Sequence, residues 1–421
     1  MNKLLFLFAI ASLFIACDHT YTETYSYKVN EPVFMPASEF RSSVTVSEEP
    51  RTLSNYGKIC FYDGFLYISE PSKGIHILDN RNPASPQILG YIELLGNFDL
   101  AIRNNLLYAD SYIDLVWFDI SNPAQPQLKG RLEDAFPEAL PAIDNEHGYD
   151  HWLYQSEEAK KSGVIVGWDL KEKTVEYERT SSWWGSKDSN MATADSRPNG
   201  QSSTGKNGSM SRFGLYQDHL YTVINNYMSI FDLSGEYPSK AVEKEYIGRN
   251  VETIFSYKDK MFMGTPTGLV IYSVEDPIKP TYCSEIWHVY GCDPVVVEDD
   301  LAYVTIHSGN FCGQNNNELF IIDVSDVYHP KQLVSYTMKS PKGLGIDNNT
   351  LFLCDDGLKA YKLGDPQTLM SNQLVHYKGM DGYDVIPYNN VLMMIADKGL
   401  YQYDYSNLDD IKELSFISIT K

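Results

Sequence analysis

The sequence predicts an all-β fold, a β-propeller of four-stranded blades, and three observations carry that expectation. A two-part phrase recurs along the chain. Where no insertion intervenes, its period is about 40 residues, the length of one four-stranded blade. No long stretch shows the 3.6-residue period of a helix, whereas Tyr (31) and Phe (18) are abundant.

Each copy opens with a polar turn and a short strand ending in Tyr or Phe, and a second strand follows, often opened by Gly and closed by Asp. The clearest copy is Asp63-Gly64-Phe65-Leu66-Tyr67-Ile68 with Gly74-Ile75-His76-Ile77-Leu78-Asp79. Asn104 to Tyr108 with Leu115 to Asp119 is next, and a weaker third copy pairs Trp152-Leu153-Tyr154 with Gly163 to Asp169. Further copies lie at His219 with Asp232, Lys260 with Tyr272, Leu301 with Asp323, Leu351 with Tyr361, and Val391 with Asp404. Eight copies predict eight blades, with seven as the alternative because the third departs most. Asn82-Pro83, Asn122-Pro123 and Asp276-Pro277 follow the second strand. Proline lacks the donor a central strand needs, so these mark the turn into an outer edge strand. Ser43 to Val46 and Leu414 to Ser418 alternate like outer strands, and one of them is expected to close the ring on the last blade.

Gly74 to Asp79 with Asn82-Pro83, and Leu115-Val116-Trp117-Phe118-Asp119-Ile120-Ser121-Asn122-Pro123, resemble the LVIVD repeat of bacterial β-propeller lipoproteins. The segment from Cys292 to Val297 with Cys312-Gly313 is also similar to members of that group. The resemblance implies a propeller on a cell surface and carries no established activity.

The beginning of the chain agrees with that location. Lys3 precedes the apolar run Leu4 to Ala16, too short for an ordinary spanning helix, and Phe14-Ile15-Ala16-Cys17 resembles a lipobox. The expected organisation is a signal peptide over 1–16, a lipid-anchored tether over 17–40 and the propeller over 41–421. Acyl chains on Cys17 would bind membrane lipid and hold the protein in the bacterial cell envelope, at the outer membrane, on its periplasmic side or on the cell surface. A formal charge of −22 with 34 basic residues argues against nucleic acid as a partner.

Five cysteines follow Cys17, and Cys292 and Cys312 are expected to pair, since both sit in loops opening on one face of the sixth copy. The long insertions Ser181 to Ser211 and Ser308 to Asn317 open on that face too. Trp183, Trp184, His307, Asn315 and Asn316 are therefore the candidate binding face for an envelope protein or glycan, set against a plain disordered insertion as the alternative. Asp99, Glu252, Asp293 and Asp384 align near one mouth of the channel. Converging carboxylates suit Ca²⁺ as a cofactor, although such residues more often cap the incoming turn through local backbone donors. No nucleophile elbow or metal-binding helix motif appears. The sequence thus favours a binding or scaffolding module over an enzyme; the alternative is an envelope hydrolase or oxidoreductase with its site at the channel mouth.

Overall fold

The computed structural model describes residues 20–144, 146–149, 154, 159, 161–180, 209–210, 212–224, 226–248, 250–287, 294–307 and 317–420. The chain forms two compact units, one of residues 35–141 and 199–421 and the other of residues 1–34 and 142–198. The larger is a propeller of seven four-stranded antiparallel blades. In blade 1 the strands are Ile59–Tyr62, Phe65–Glu70, Gly74–Asp79 and Gln87–Glu93, from the channel outward. Blades 2 to 7 follow the same order over residues 100–132, 213–246, 253–287, 295–337, 344–377 and 382–418.

The expected eighth blade is absent because the third copy is not a blade. Val164–Thr180 is one strand of 17 residues, paired with Thr20–Met35 in a two-stranded sheet. In blades 1 and 2 the third strand ends at its Asp and turns on Asn-Pro, and in the other blades a Ser, Gly, Asn or Asp follows within a few residues. Here Asp169 is followed by Leu170-Lys171-Glu172-Lys173, which offers no turn, so the strand runs on. In that unit Lys171 and Lys173 both pair with Glu31, and Tyr149 and Tyr154 pack on Trp168. Within the stretch expected as a tether, the structure also contains the helix Ala37–Ser42.

The repeat's polar residues have identifiable jobs. The turn from the inner to the second strand takes two left-handed residues in blades 1, 6 and 7, at Asp63-Gly64 (φ 47° and 82°), Asn348-Asn349 (48° and 58°) and Asn389-Asn390 (48° and 65°). That is the tight hairpin turn matching strand twist, which Asn, Asp and Gly tolerate best. In all seven blades the carbonyl of the second turn residue accepts the N–H that follows the third strand, as in Asn80 to Gly64 and Tyr405 to Asn390. The closing aspartates, Asp79, Asp119, Asp232, Asp323 and Asp404, each accept the N–H two residues on. The following Asn82 and Asp276 do the same for Ala84 and Ile278. These local bonds stop one strand and aim the next.

Seven apolar clusters hold the ring, one at each junction of neighbouring blades. Of the two outer strands expected, the second completes the last blade. Thr45–Ser47 pairs with the outer strand of blade 1, and Lys412–Ser418 is the fourth strand of blade 7 itself. The seam is packed and hydrogen-bonded. Ile59, Leu66 and Ile68 meet Ile386, Met393 and Ile395. The buried amides of Asn80 and Gln402 bond reciprocally at 2.9 and 2.7 Å, and Thr420 N–H donates to the Leu53 carbonyl at 2.8 Å. Gln402→Ala should cost about 1–3 kcal/mol, because it strands the Asn80 amide in the core. The midpoint of urea unfolding checks this; an unchanged midpoint would mean that the pair adds nothing to closure.

Candidate functional site

The register between the inner and second strands defines one position shared by all blades, five residues before the first residue of the tight turn. It holds Lys58, Asp99, Arg212, Thr253, Pro294, Gly343 and Asp384, opposite Ser69, Asp110, Val223, Gly264, Thr305, Cys354 and Ile395 in turn. These seven residues ring the upper end of the channel. Going round the ring, Asp384, Lys58, Asp99 and Arg212 alternate in sign over four successive blades, and the other three blades contribute uncharged residues.

A short segment of chain lies across this ring. Ser209 N–H donates to Asp384 Oδ1 at 3.1 Å, and Ser209 Oγ accepts the Leu344 N–H of blade 6 at 2.9 Å. Lys58 Nζ of blade 1 donates to the Met210 carbonyl at 3.0 Å and to the Tyr383 hydroxyl at 3.3 Å. Arg212 N–H donates to Asp99 Oδ2 of blade 2 at 3.0 Å. Ser209, Met210 and Arg212 are thereby tied to blades 1, 2, 6 and 7. Gly343 is required beside them, since a Cβ there would stand 2.4 Å from Asp384 Oδ1.

The charges are deeply buried: Lys58 is 1% exposed, and Asp99 and Asp384 are 0% exposed. Burial pushes the Lys58 ammonium down to about 7, against the pull of Asp99 and Asp384. Burial likewise drives the Asp99 carboxyl well above the usual range, although Lys58 and Arg212 draw it back. Asp110 is raised by burial too; it accepts the Phe98 and Asp99 N–H groups at 2.7 and 2.8 Å, and Arg212 Nη2 stands 3.7 Å away. The arrangement is a polar stopper: its amine and acids are spent on each other and on main chain.

Of the four expected channel-mouth carboxylates, Asp99 and Asp384 stand in the ring. Each also accepts the N–H of its own next residue, Leu100 or Val385. Glu252 sits one residue before the ring position, which Thr253 fills. Among the described residues no three acidic, His or Cys side chains are gathered as a metal site. Asp293 lies outside the described residues, as do Cys17, Trp183, Trp184, Cys292, Cys312, Asn315 and Asn316. Cys60, Cys283 and Cys354 carry free thiols. His307 ends the second strand of blade 5, and burial followed by Lys342 lowers its pKa. Sequence reading missed Lys58 and Arg212, although counting four residues back from Tyr62 and Tyr216 would have found both.

The same upper face carries exposed aromatic rings. Tyr246 and Trp287 end the outer strands of neighbouring blades 3 and 4 and are 64% and 62% exposed. Both lie at the strand ends that pair with Tyr227 and Gly268, next to the loops between second and third strands.

A family model for the LVIVD repeat matches residues 57–93, 98–134 and 294–338. The chain carries LVIVD repeats. The three matched LVIVD repeats coincide with blades 1, 2 and 5, and the aspartates that cap their third strands are Asp79, Asp119 and Asp323. No curated protein matches the chain. Among solved structures, Pseudomonas aeruginosa periplasmic gluconolactonase PpgL is similar with a TM-score of 0.52 at 8% identity, covering 86% of this chain and 95% of its own. The computationally designed Ika8 protein has a TM-score of 0.50 at 9% identity, covering 88% of this chain and 90% of its own. At these identities the likeness is one of fold alone, and fold does not specify function.

Proposed function

We propose that this LVIVD-repeat propeller is a binding or scaffolding module of the bacterial cell envelope, anchored at the outer membrane through acylated Cys17 and recognising a protein or glycan with its upper face. The observation that carries this reading is the exposure of Tyr246 and Trp287 at the upper ends of the outer strands of blades 3 and 4. Exposed aromatic side chains on a rigid scaffold supply contact area at low entropic cost. The acid and base groups beneath them are turned inward and sealed, an arrangement suited to rigidity rather than turnover.

Two outcomes test the reading. Replacing Tyr246 and Trp287 together by Ala should weaken capture of an envelope glycan or protein ligand by roughly 30-fold or more, the loss of about 2 kcal/mol typical of a hot spot. A glycan array and crosslinking in envelope extracts, each with wild type and variant side by side, separate the two ligand classes; equal capture by both proteins refutes the proposed face. Cys17→Ser should move the protein out of the membrane fraction, and salt-resistant retention of the variant would refute the lipid anchor.

A further inference from the structure

Below the stopper the channel holds a cavity of about 320 Å³, bounded by the inner strands of blades 3 to 7. That volume is at the lower end of the roughly 300–1,000 Å³ usual for small-molecule sites. It extends from the residues just below the ring, such as Phe213, Ile254 and Val385, to Glu298 and Asp347 at the lower ends of blades 5 and 6. Ser209, Met210 and Arg212 are bonded across the ring above it, which leaves the lower mouth as the approach for a ligand. Its side walls are mostly Val, Leu, Ile and Phe.

The lower mouth is anionic. Asp347 Oδ2 accepts the Tyr405 hydroxyl at 2.6 Å and the Asn348 amide at 3.0 Å. Glu298 is half-buried, and among the described residues no Lys, Arg or His side chain pairs with it. The nearby cations are engaged elsewhere: Lys258 with Asp300 at 3.2 Å, and Arg103 with Asp218. Burial, Asp299 and Asp347 all push the Glu298 carboxyl up. A partly desolvated carboxylate without a counter-ion is costly, and a cation brought by a ligand removes that cost. Two carboxylates, one already holding a phenol, fall short of the six to eight oxygens that Ca²⁺ requires.

We propose that the channel is a blind pocket for a small organic cation, an amine with an apolar body, whose ammonium sits between Glu298 and Asp347 while its body lies against the aliphatic wall. This site is on the opposite face from the one proposed for a protein or glycan and stands or falls separately.

Calorimetric titration of the purified full chain with 2-phenylethylamine, and with 2-phenylethanol as its neutral counterpart, tests it. The amine should bind with a Kd below about 1 mM. Glu298→Gln should weaken the amine by about tenfold or more and leave the alcohol's weaker binding unchanged, whereas Glu413→Gln, on the exposed outer strand of blade 7, should leave both unchanged. Amine affinity should also fall as pH is lowered through the raised carboxyl pKa. Thermal melting of Glu298→Gln verifies that the variant is folded. Equal binding of amine and alcohol, equal amine binding by wild type and Glu298→Gln, or no saturable amine binding at about 10 mM would each overturn the proposal.

Discussion

Asp114→Ala should destabilise the propeller by about 3–5 kcal/mol, the usual cost of breaking a buried ion pair by removing one partner. Asp114 opens the third strand of blade 2 and is 0% exposed. Its carboxylate accepts Arg41 Nε and Arg131 Nη1, both at 2.9 Å, and the Asp134 N–H at 2.8 Å. The Asp114 bond raises the Arg41 pKa, whereas burial depresses that of Arg131. Removing the acid leaves Arg131 enclosed without its counter-charge. It also removes one tie of the helix Ala37–Ser42, whose Arg41 keeps Glu133 at 2.6 Å and whose Phe40 is 0% exposed and lies under the Arg131 guanidinium at 5.4 Å. Denaturant unfolding measures the loss; a change below about 1 kcal/mol would mean that the helix contributes its anchorage through Phe40 alone.

Lys58→Met should be of similar size, about 3–5 kcal/mol, because it takes the only fully buried cation from a ring that still contains Asp99 and Asp384. It also leaves the Met210 carbonyl without its donor. The pH dependence separates a charge effect from a packing effect. With the folded Lys58 at about 7 and the unfolded one at its ordinary higher value, the unfolded chain holds the extra proton between the two. Wild-type stability should therefore gain from this group as pH rises from about 7 towards about 10, and the variant should lack that gain. Parallel pH profiles of the two proteins would show that Lys58 is not charged in the unfolded state alone over that range.

Much of the propeller was legible because the repeat is local. The Asp63-Gly64 and Asn389-Asn390 turns, the strand-ending Asp79 and Asp404 and the following prolines or Asx residues act within a few positions of themselves, so a linear reading finds them. The false third blade arose where two strand-like stretches of the right composition lacked the turn after Asp169. The packed seam was not legible because the Asn80 and Gln402 contact joins residues 322 apart, and no local pattern announces it. The ring is a middle case. Asp99 and Asp384 were found as acids near a mouth, but their partners come from Lys58 in another blade and from the N–H groups of Ser209 and Arg212. Alignment of the inner strands placed these acids near a mouth and favoured backbone capping over a cation site, and Asp99 and Asp384 do accept main-chain N–H groups.

Whether the channel is closed above is decided most directly by amide hydrogen exchange at Ser209, Arg212 and Leu344. Their N–H groups donate to Asp384, Asp99 and Ser209, so they should exchange as slowly as core strand amides such as Val223, and Lys58→Met should accelerate the first two selectively. Exchange at the rate of an open loop in the wild type would contradict the stopper, and with it the reading of the channel as a pocket open only from below.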